Sequence, residues 1–237
     1  MSYLPATAPS RLILFALLLA LTFAWGCRFQ SPPLTSMGLH DTFVSVAEGE
    51  SAVSVAPHIS LGTEYQGTGG DLRVSHQFDE VIRIGVEGHG GWYQGLGTDD
   101  TTGSFYRGGR AYGGFELAAD PERTASGGVY LHAGYLWATA ERQYAMAGSS
   151  LNGKVRFLDT PFVIGAGVSG SLMQRLFPPD PEPNQRQQLR GYSFSTMGSF
   201  LIDLDPFFVG LEGGLGLYSH ESFDIQLRTG LSGGTRF

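Results

Sequence analysis

The chain of 237 residues carries 15 Lys and Arg against 22 Asp and Glu, a net charge of -7, and holds a single cysteine. The acidic surplus excludes a nucleic-acid partner, and one cysteine excludes an intramolecular disulfide. Glycine, at 35 residues, runs at about twice the usual ~7%. Mean hydropathy lies near zero, as expected both of a soluble protein and of a transmembrane barrel whose strands average a lipid face with a polar one.

Arg11 is the only charge ahead of an apolar run from Leu12 to Trp25. That run is shorter than the ~20 residues of a membrane-spanning helix and suits the core of a secretory signal. Residues 1–26 are therefore expected to be a signal peptide, cleaved after Ala24-Trp25-Gly26 so that Cys27 leads the mature chain. A cysteine in that place resembles the lipobox of bacterial lipoproteins and makes Cys27 a lipidation candidate. Ala24 and Trp25 depart from the lipobox pattern. Residues 27–50, with the short apolar stretch Phe43 to Ala47, read as a periplasmic lead-in.

From residue 51 onward one period recurs. In 81–94, Ile82, Ile84, Val86 and Trp92 share a face, while Arg83, Gly85, Glu87 and His89 share the other. In 161–174, Phe162, Ile164, Ala166, Val168 and Leu172 oppose Val163, Gly165, Gly167, Ser169 and Ser171. In 207–219, Phe207, Val209, Leu211, Leu215 and Leu217 oppose Phe208, Gly210, Glu212, Gly214 and Gly216. The last run, 222–237, sets Phe223, Ile225, Leu227, Thr229 and Leu231 against Asp224, Gln226, Arg228 and Ser232. Alternation at period two marks strands, and each run exceeds the 9–11 residues a tilted strand needs to cross a bilayer.

Ten such runs are expected: 51–66, 71–78, 81–94, 106–118, 127–140, 151–158, 161–174, 190–204, 207–219 and 222–237. Eight strands follow if the second, with only Leu72 and Val74 clearly outward, is loop together with a neighbour; twelve follow if Phe43 to Ala47 joins the sheet. The fold class is all-β, an antiparallel up-and-down transmembrane barrel over residues 51–237. An even count puts both ends on the periplasmic side. Turns there are short, at Asp79-Glu80, Asp120-Pro121-Glu122, Asp159-Thr160-Pro161 and Asp205-Pro206, and the longer connections 95–105, 141–150 and 175–189 are external. Tyr65, Trp92, Trp137 and Tyr192 form one aromatic girdle, and Phe78, Phe157, Phe162, Phe207 and Phe237 the other.

These features resemble the small outer-membrane β-barrels of Gram-negative bacteria, the class that includes opacity-type proteins. The resemblance rests on a period and on the terminal Phe237. It implies location in the outer membrane, contact with its lipid, and recognition of the last strand and Phe237 by the barrel-insertion machinery. It carries over no catalytic residue.

The inward faces hold Glu64, Arg73, Arg83, Glu87, His89, Arg110, Glu116, Arg156, Glu212, Asp224 and Arg228, five arginines against five acids. Unpaired charges are costly inside a membrane protein, so a network of mutual pairs that plugs the lumen is expected, with a narrow pore for small solutes as the alternative. Inward Gly85 and Gly165 leave room for these side chains, and Gly85→Ala is expected to be mild. His220, Glu221 and Asp224, with Asp99 and Asp100, would stand near the external rim as outer-membrane proteases of the omptin type arrange theirs. They read as a solvated rim, and an outer-membrane hydrolase is the third reading. No histidine pair has a ligand spacing, and no phosphate loop or nucleophile elbow occurs. No cofactor, metal or catalytic residue is expected, and the role is expected to be structural or one of surface interaction, with an unknown partner at the external loops.

Overall fold

The computed structural model describes residues 40–63, 65–95, 103–119, 124–139, 142–176, 190–219 and 223–237. They form ten strands, β1 (Ser51–Gly62), β2 (Tyr65–Gln77), β3 (Ile82–Gly95), β4 (Ser104–Ala118), β5 (Ala125–Thr139), β6 (Arg142–Arg156), β7 (Phe162–Leu176), β8 (Arg190–Asp203), β9 (Phe207–Ser219) and β10 (Phe223–Arg236), preceded by a 3-10 turn at His40–Phe43. Every strand pairs antiparallel with its chain neighbours, and β1 pairs with β10 to close the barrel. At the seam Ser51 N–H donates to Phe237 O at 2.9 Å and Phe237 N–H to Ser51 O at 3.0 Å. Closure leaves no edge strand to hydrogen-bond elsewhere, which is why a barrel can stand in lipid.

Side-chain parity sorts the two faces. Val55, Ile84, Val86, Leu131, Leu172, Leu211 and Leu231 are exposed on the outside, whereas Arg73, Arg83, Glu87, Arg110, Glu116, Glu212 and Arg228 are buried within. An exposed apolar surface of this extent is stable only against lipid. Phe78, Phe157, Phe207 and Phe237 are exposed around the periplasmic ends of the strands and Tyr192 at an external end. The guanidinium of outward Arg107 lies 4.7 Å from the centre of the Trp137 ring. Of the remaining girdle residues, the side chain of Tyr65 falls outside the described residues.

The strand count is ten, and the largest differences from the sequence reading lie at the β1–β2 connection and in β6: β1 ends at Gly62 and not at residue 66, so Tyr65 and Gln66 belong to β2. Gly67-Thr68-Gly69-Gly70, which falls between the expected first and second strands, lies inside β2 and pairs with Tyr93, Trp92, Gly91 and Gly90 of β3. Its glycines serve packing: a Cβ on Gly69 would stand 2.9 Å from His58 Nε2 and 2.7 Å from Gly90 O, and closer still to Tyr106 Oη. The expected external loop 141–150 is mostly β6, which pairs with β5 from Arg142 onward. In this stretch Tyr144 and Met146 turn inward and Ala145 and Ala147 outward, so its larger apolar groups sit on the lumen side and it lacks the outward hydrophobic signal of the other strands.

The periplasmic turns are locally determined. Asp79 Oδ1 accepts from the backbone N–H groups of Val81 at 2.7 Å and Ile82 at 2.6 Å. Those two bonds hold its carboxyl below the usual carboxylate value. Asp159 takes the left-handed conformation at φ 58°, which aspartate tolerates better than most residues. His76, outward near the same end, shares a hydrogen bond with Ser51 Oγ at 3.0 Å and packs edge-on against Phe78 at 4.6 Å.

Candidate functional site in the lumen

The segment before β1 does not lead away from the barrel. Gly49, at φ 77°, lets the chain reverse, with Gly49 N–H donating to Gln77 O at 2.7 Å and Ala47 N–H to Glu50 Oε2 at 3.0 Å. Residues 42–46 consequently fold back into the periplasmic end of the lumen. Phe43, Val44 and Val46 are buried with Ala52, Val163, Met197, Leu201 and Phe208. Removing one phenyl group from water contributes about 2–3 kcal/mol, the main apolar reward for this placement. Gly165 makes room for it, since a Cβ there would collide with the Phe43 ring.

Four polar side chains of the wall bond this stopper. Arg83 Nη1 donates to Val44 O at 2.8 Å, and Lys154 Nζ to Val44 O at 3.2 Å and Thr42 O at 3.3 Å. Asn152 Nδ2 donates to Thr42 Oγ1 at 2.6 Å, and Arg236 Nη1 to Ser45 O at 2.8 Å. Arg83 and Lys154 also share Glu116, at 3.7 Å and 2.7 Å. Glu116 further accepts from Ser126 Oγ at 2.9 Å and Tyr130 Oη at 3.1 Å. Among the described residues, Arg83, Lys154 and Glu116 share this layer with the carbonyl oxygens of Thr42 and Val44.

Above it lies a balanced layer of three arginines and three acids. Arg73 grips Glu212 with both terminal nitrogens, at 2.8 Å and 2.7 Å, and reaches Asp71 Oδ2 at 2.5 Å. Arg228 also donates to Asp71 Oδ2. Arg110 donates to Glu87 Oε2 at 3.0 Å, and Arg73 Nε lies 3.7 Å from the same oxygen. The side chains of Asp71 and Glu87 are wholly buried. Each charge is expensive in such a place, and mutual pairing with bidentate geometry offsets the desolvation. Below the stopper, at the periplasmic rim, Asp203 accepts from both Arg156 and Arg236.

Histidines border the balanced layer on its external side. His58 Nε2 shares a hydrogen bond with Tyr106 Oη at 3.0 Å, and its Nδ1 stands 3.8 Å from Asp71 Oδ1. His89 Nδ1 stands 3.9 Å from Glu87 Oε1. His132 Nε2 shares a hydrogen bond with Ser171 Oγ at 2.8 Å. Toward the external end the interior becomes apolar, with Tyr106, Leu136, Tyr144, Met173 and Tyr218 in one cluster.

Of the residues expected inside, Arg73, Glu87, Arg110, Glu212 and Arg228 meet in the balanced layer, Arg83 and Glu116 in the stopper layer, and Arg156 at the rim. Asp224 stands apart near the external end, where its carboxylate accepts from Thr63 N–H at 3.1 Å, from Thr63 Oγ1 and from Gln226 Nε2 at 2.9 Å. Glu64 lies outside the described residues, as do His220, Glu221, Asp99, Asp100 and Cys27. Asp71, Lys154 and Asp203 were absent from the expected set. Parity identifies them, because Asp71 shares a face with Arg73, Lys154 with Arg156, and Asp203 with Leu201. Arg236 shares the inward parity of Arg228 and Ser232, and its partner Asp203 lies on β8, out of reach of any pattern within β10.

A lipid-facing apolar wall wrapped around paired charges defines a transmembrane β-barrel of the outer-membrane class, and its place is the outer membrane of a Gram-negative cell. Comparison with known proteins adds to this at the level of fold. No family model matches the chain, and no curated protein matches it. Among solved structures, an outer-membrane channel from Pseudomonas putida F1 is similar at TM-score 0.50 and 10% identity, covering 85% of this chain and 100% of that one. LpxR from Salmonella typhimurium is similar at TM-score 0.45 and 8% identity, over 78% and 99% of the two chains. Ail, the attachment invasion locus protein of Yersinia pestis, is similar at TM-score 0.31 and 13% identity, over 80% and 99%.

Proposed function

We propose that this protein is a resting, closed barrel that serves the outer membrane structurally or through its external connections, and is neither an enzyme nor an open pore. The observation that carries the reading is the filled lumen: the Asp71, Arg73, Glu87, Arg110, Glu212 and Arg228 network at mid-height and the stopper of residues 42–46 beneath it. Against an enzyme stands Asp224, the one described member of the rim group, whose carboxylate oxygens are engaged by Thr63 and Gln226. Its bonds tie the start of β10 to the chain just after β1, a structural task.

The partners follow from the same surfaces. Membrane lipid covers the outward belt, the insertion machinery reads β10 with its exposed terminal Phe237, and an external partner meets the connections between strands on the cell-surface side. The test is electrical. Purified protein in planar bilayers should show only rare, brief openings, and a large steady conductance would replace this reading with the narrow pore.

A further inference from the structure

We infer that the outer wall over β1–β5 holds a binding site for a phosphorylated, acylated lipid of the outer leaflet, with Arg107 and Trp137 at its headgroup end and an open groove beneath them for an acyl chain. This goes beyond the closed resting state proposed above: the site lies on the other face of the wall and does not depend on whether the lumen conducts.

The first observation is a charge on the lipid face. Among the described residues, Arg107 is the one charged side chain on the outward faces of the ten strands, and it is exposed. Its guanidinium lies over the Trp137 ring at 4.7 Å, which fixes the position of the group and leaves its charge in place. Ten residue steps separate Arg107 from Leu117, exposed at the periplasmic end of β4. At about 3.4 Å each along a strand tilted by ~40°, they span about 26 Å, the whole height of a belt ~25 Å tall. Phe105, exposed two residues nearer the external end, and Trp92, in register with it, continue the aromatic girdle around Arg107. An arginine at that level meets outer-leaflet headgroups, and its planar fork matches a phosphate with two parallel hydrogen bonds.

The second is the groove. An open space of about 580 Å³ is lined by Val55, Pro57, Gly70, Leu72, Gly88 and Gly90, among others. It reaches the headgroup end through Gly90, the partner of Arg107 in register, where an added Cβ would stand 4.0 Å from Arg107 Cβ. Packing inside the barrel does not account for the missing side chains. A Cβ on inward Gly69 or Gly108 would collide with Tyr106 or His89, whereas one on Gly88 would meet nothing within 4 Å, and one on Gly70 only backbone atoms at 3.8 Å and 3.9 Å. Gly70 pairs with Gly90 and Gly88 with Gly109, so the depression continues across β2, β3 and β4.

Charge and groove together select the ligand class. A free anion would leave the groove empty, and a neutral lipid would leave the arginine without a counter-charge. A lipid whose phosphate sits at the external interface and whose acyl chain runs toward the midplane meets both. Because one apolar surface gains little over another in lipid, the chain is held by fit, through the close contacts that a groove offers and a flat wall does not.

Native mass spectrometry of the full-length protein in a non-ionic detergent, titrated with diphosphorylated lipid A, tests this. Wild type should bind that lipid, and should bind the same lipid stripped of its phosphates about tenfold more weakly, as the loss of charge-assisted hydrogen bonds implies. Arg107→Gln should lose the same factor for the phosphorylated lipid and bind the stripped one as wild type does. Gly88→Leu, which has room for its side chain and fills the groove, should weaken the binding of both lipids, and it decides the matter should Arg107→Gln fail to fold. Equal binding of the two lipids by wild type overturns the inference. So does Arg107→Gln that binds the phosphorylated lipid unchanged, the result expected if a carboxylate of the chain holds the arginine instead, and so does Gly88→Leu with undiminished binding.

Discussion

Leu211→Arg tests the membrane reading at its most exposed point. Leu211 is the fifth residue of β9 and pairs with Phe200 on one side and Leu231 on the other. It is 57% exposed and both neighbours are exposed as well. Four residue steps from Phe207, at about 3.4 Å each along a strand tilted by ~40°, place it about 10 Å inside the periplasmic edge of a belt ~25 Å tall. That is close to the midplane, where an arginine on the lipid face costs about 2–4 kcal/mol. Phe207→Arg, on the same face of the same strand but at the interface, should cost only about 0–1 kcal/mol. Urea titrations of protein folded into lipid vesicles give both values by linear extrapolation. Equal loss at the two positions would refute the depth assignment, and no loss at either would refute the lipid-facing register of β9.

Gly85→Ala, read from sequence as mild, should instead destabilise by about 1–3 kcal/mol through overpacking, because its new Cβ would collide with the hydroxyl end of the buried Tyr112 side chain; the same titrations measure it. Glu87→Gln leaves the balanced layer with three arginines against two carboxylates and should cost about 3 kcal/mol, the scale for breaking a buried ion pair from one side, again read as a shifted unfolding midpoint. Asp79 has a lowered carboxyl value in the folded state, so its stabilising contribution is complete above the unfolded carboxylate value and is lost as pH falls through the depressed one. The stability difference between wild type and Asp79→Asn should therefore shrink in acid, and a pH-independent difference would remove the turn bonds as its cause. An epitope tag after Asp180, in the connection between the external ends of β7 and β8, should be stained on intact cells, while one at Asp205 should need a permeabilised envelope; the opposite order would invert the topology.

The amino-acid sequence by itself determined the wall of the barrel. In β3, β7, β9 and β10 an aliphatic residue alternates with a small or charged one, and because a strand's side chains alternate strictly, parity alone separates lipid from lumen. The short turns at Asp79, Asp159 and Asp205 are equally local in origin. Parity failed where the chemistry of the two faces converged. The glycines of β2 resemble a turn until Tyr106 and His58 are seen pressing on them, and the outward alanines of β6 are too small to announce a lipid face.

Only the tertiary structure decided who pairs with whom. Arg73 and Glu212 lie 139 residues apart in the chain and meet because β1 closes on β10, which brings β2 within reach of β9. The apolar character of Phe43 to Ala47 is visible in the sequence, but its destination is not. A lead-in into the periplasm and a stopper in the lumen require the same apolar residues, and what separates them is the reversal at Gly49, the gap left by Gly165 and the cations Arg83 and Lys154 waiting on β3 and β6. Strand faces are a property of neighbours in the chain, whereas the contents of a closed barrel depend on every strand at once.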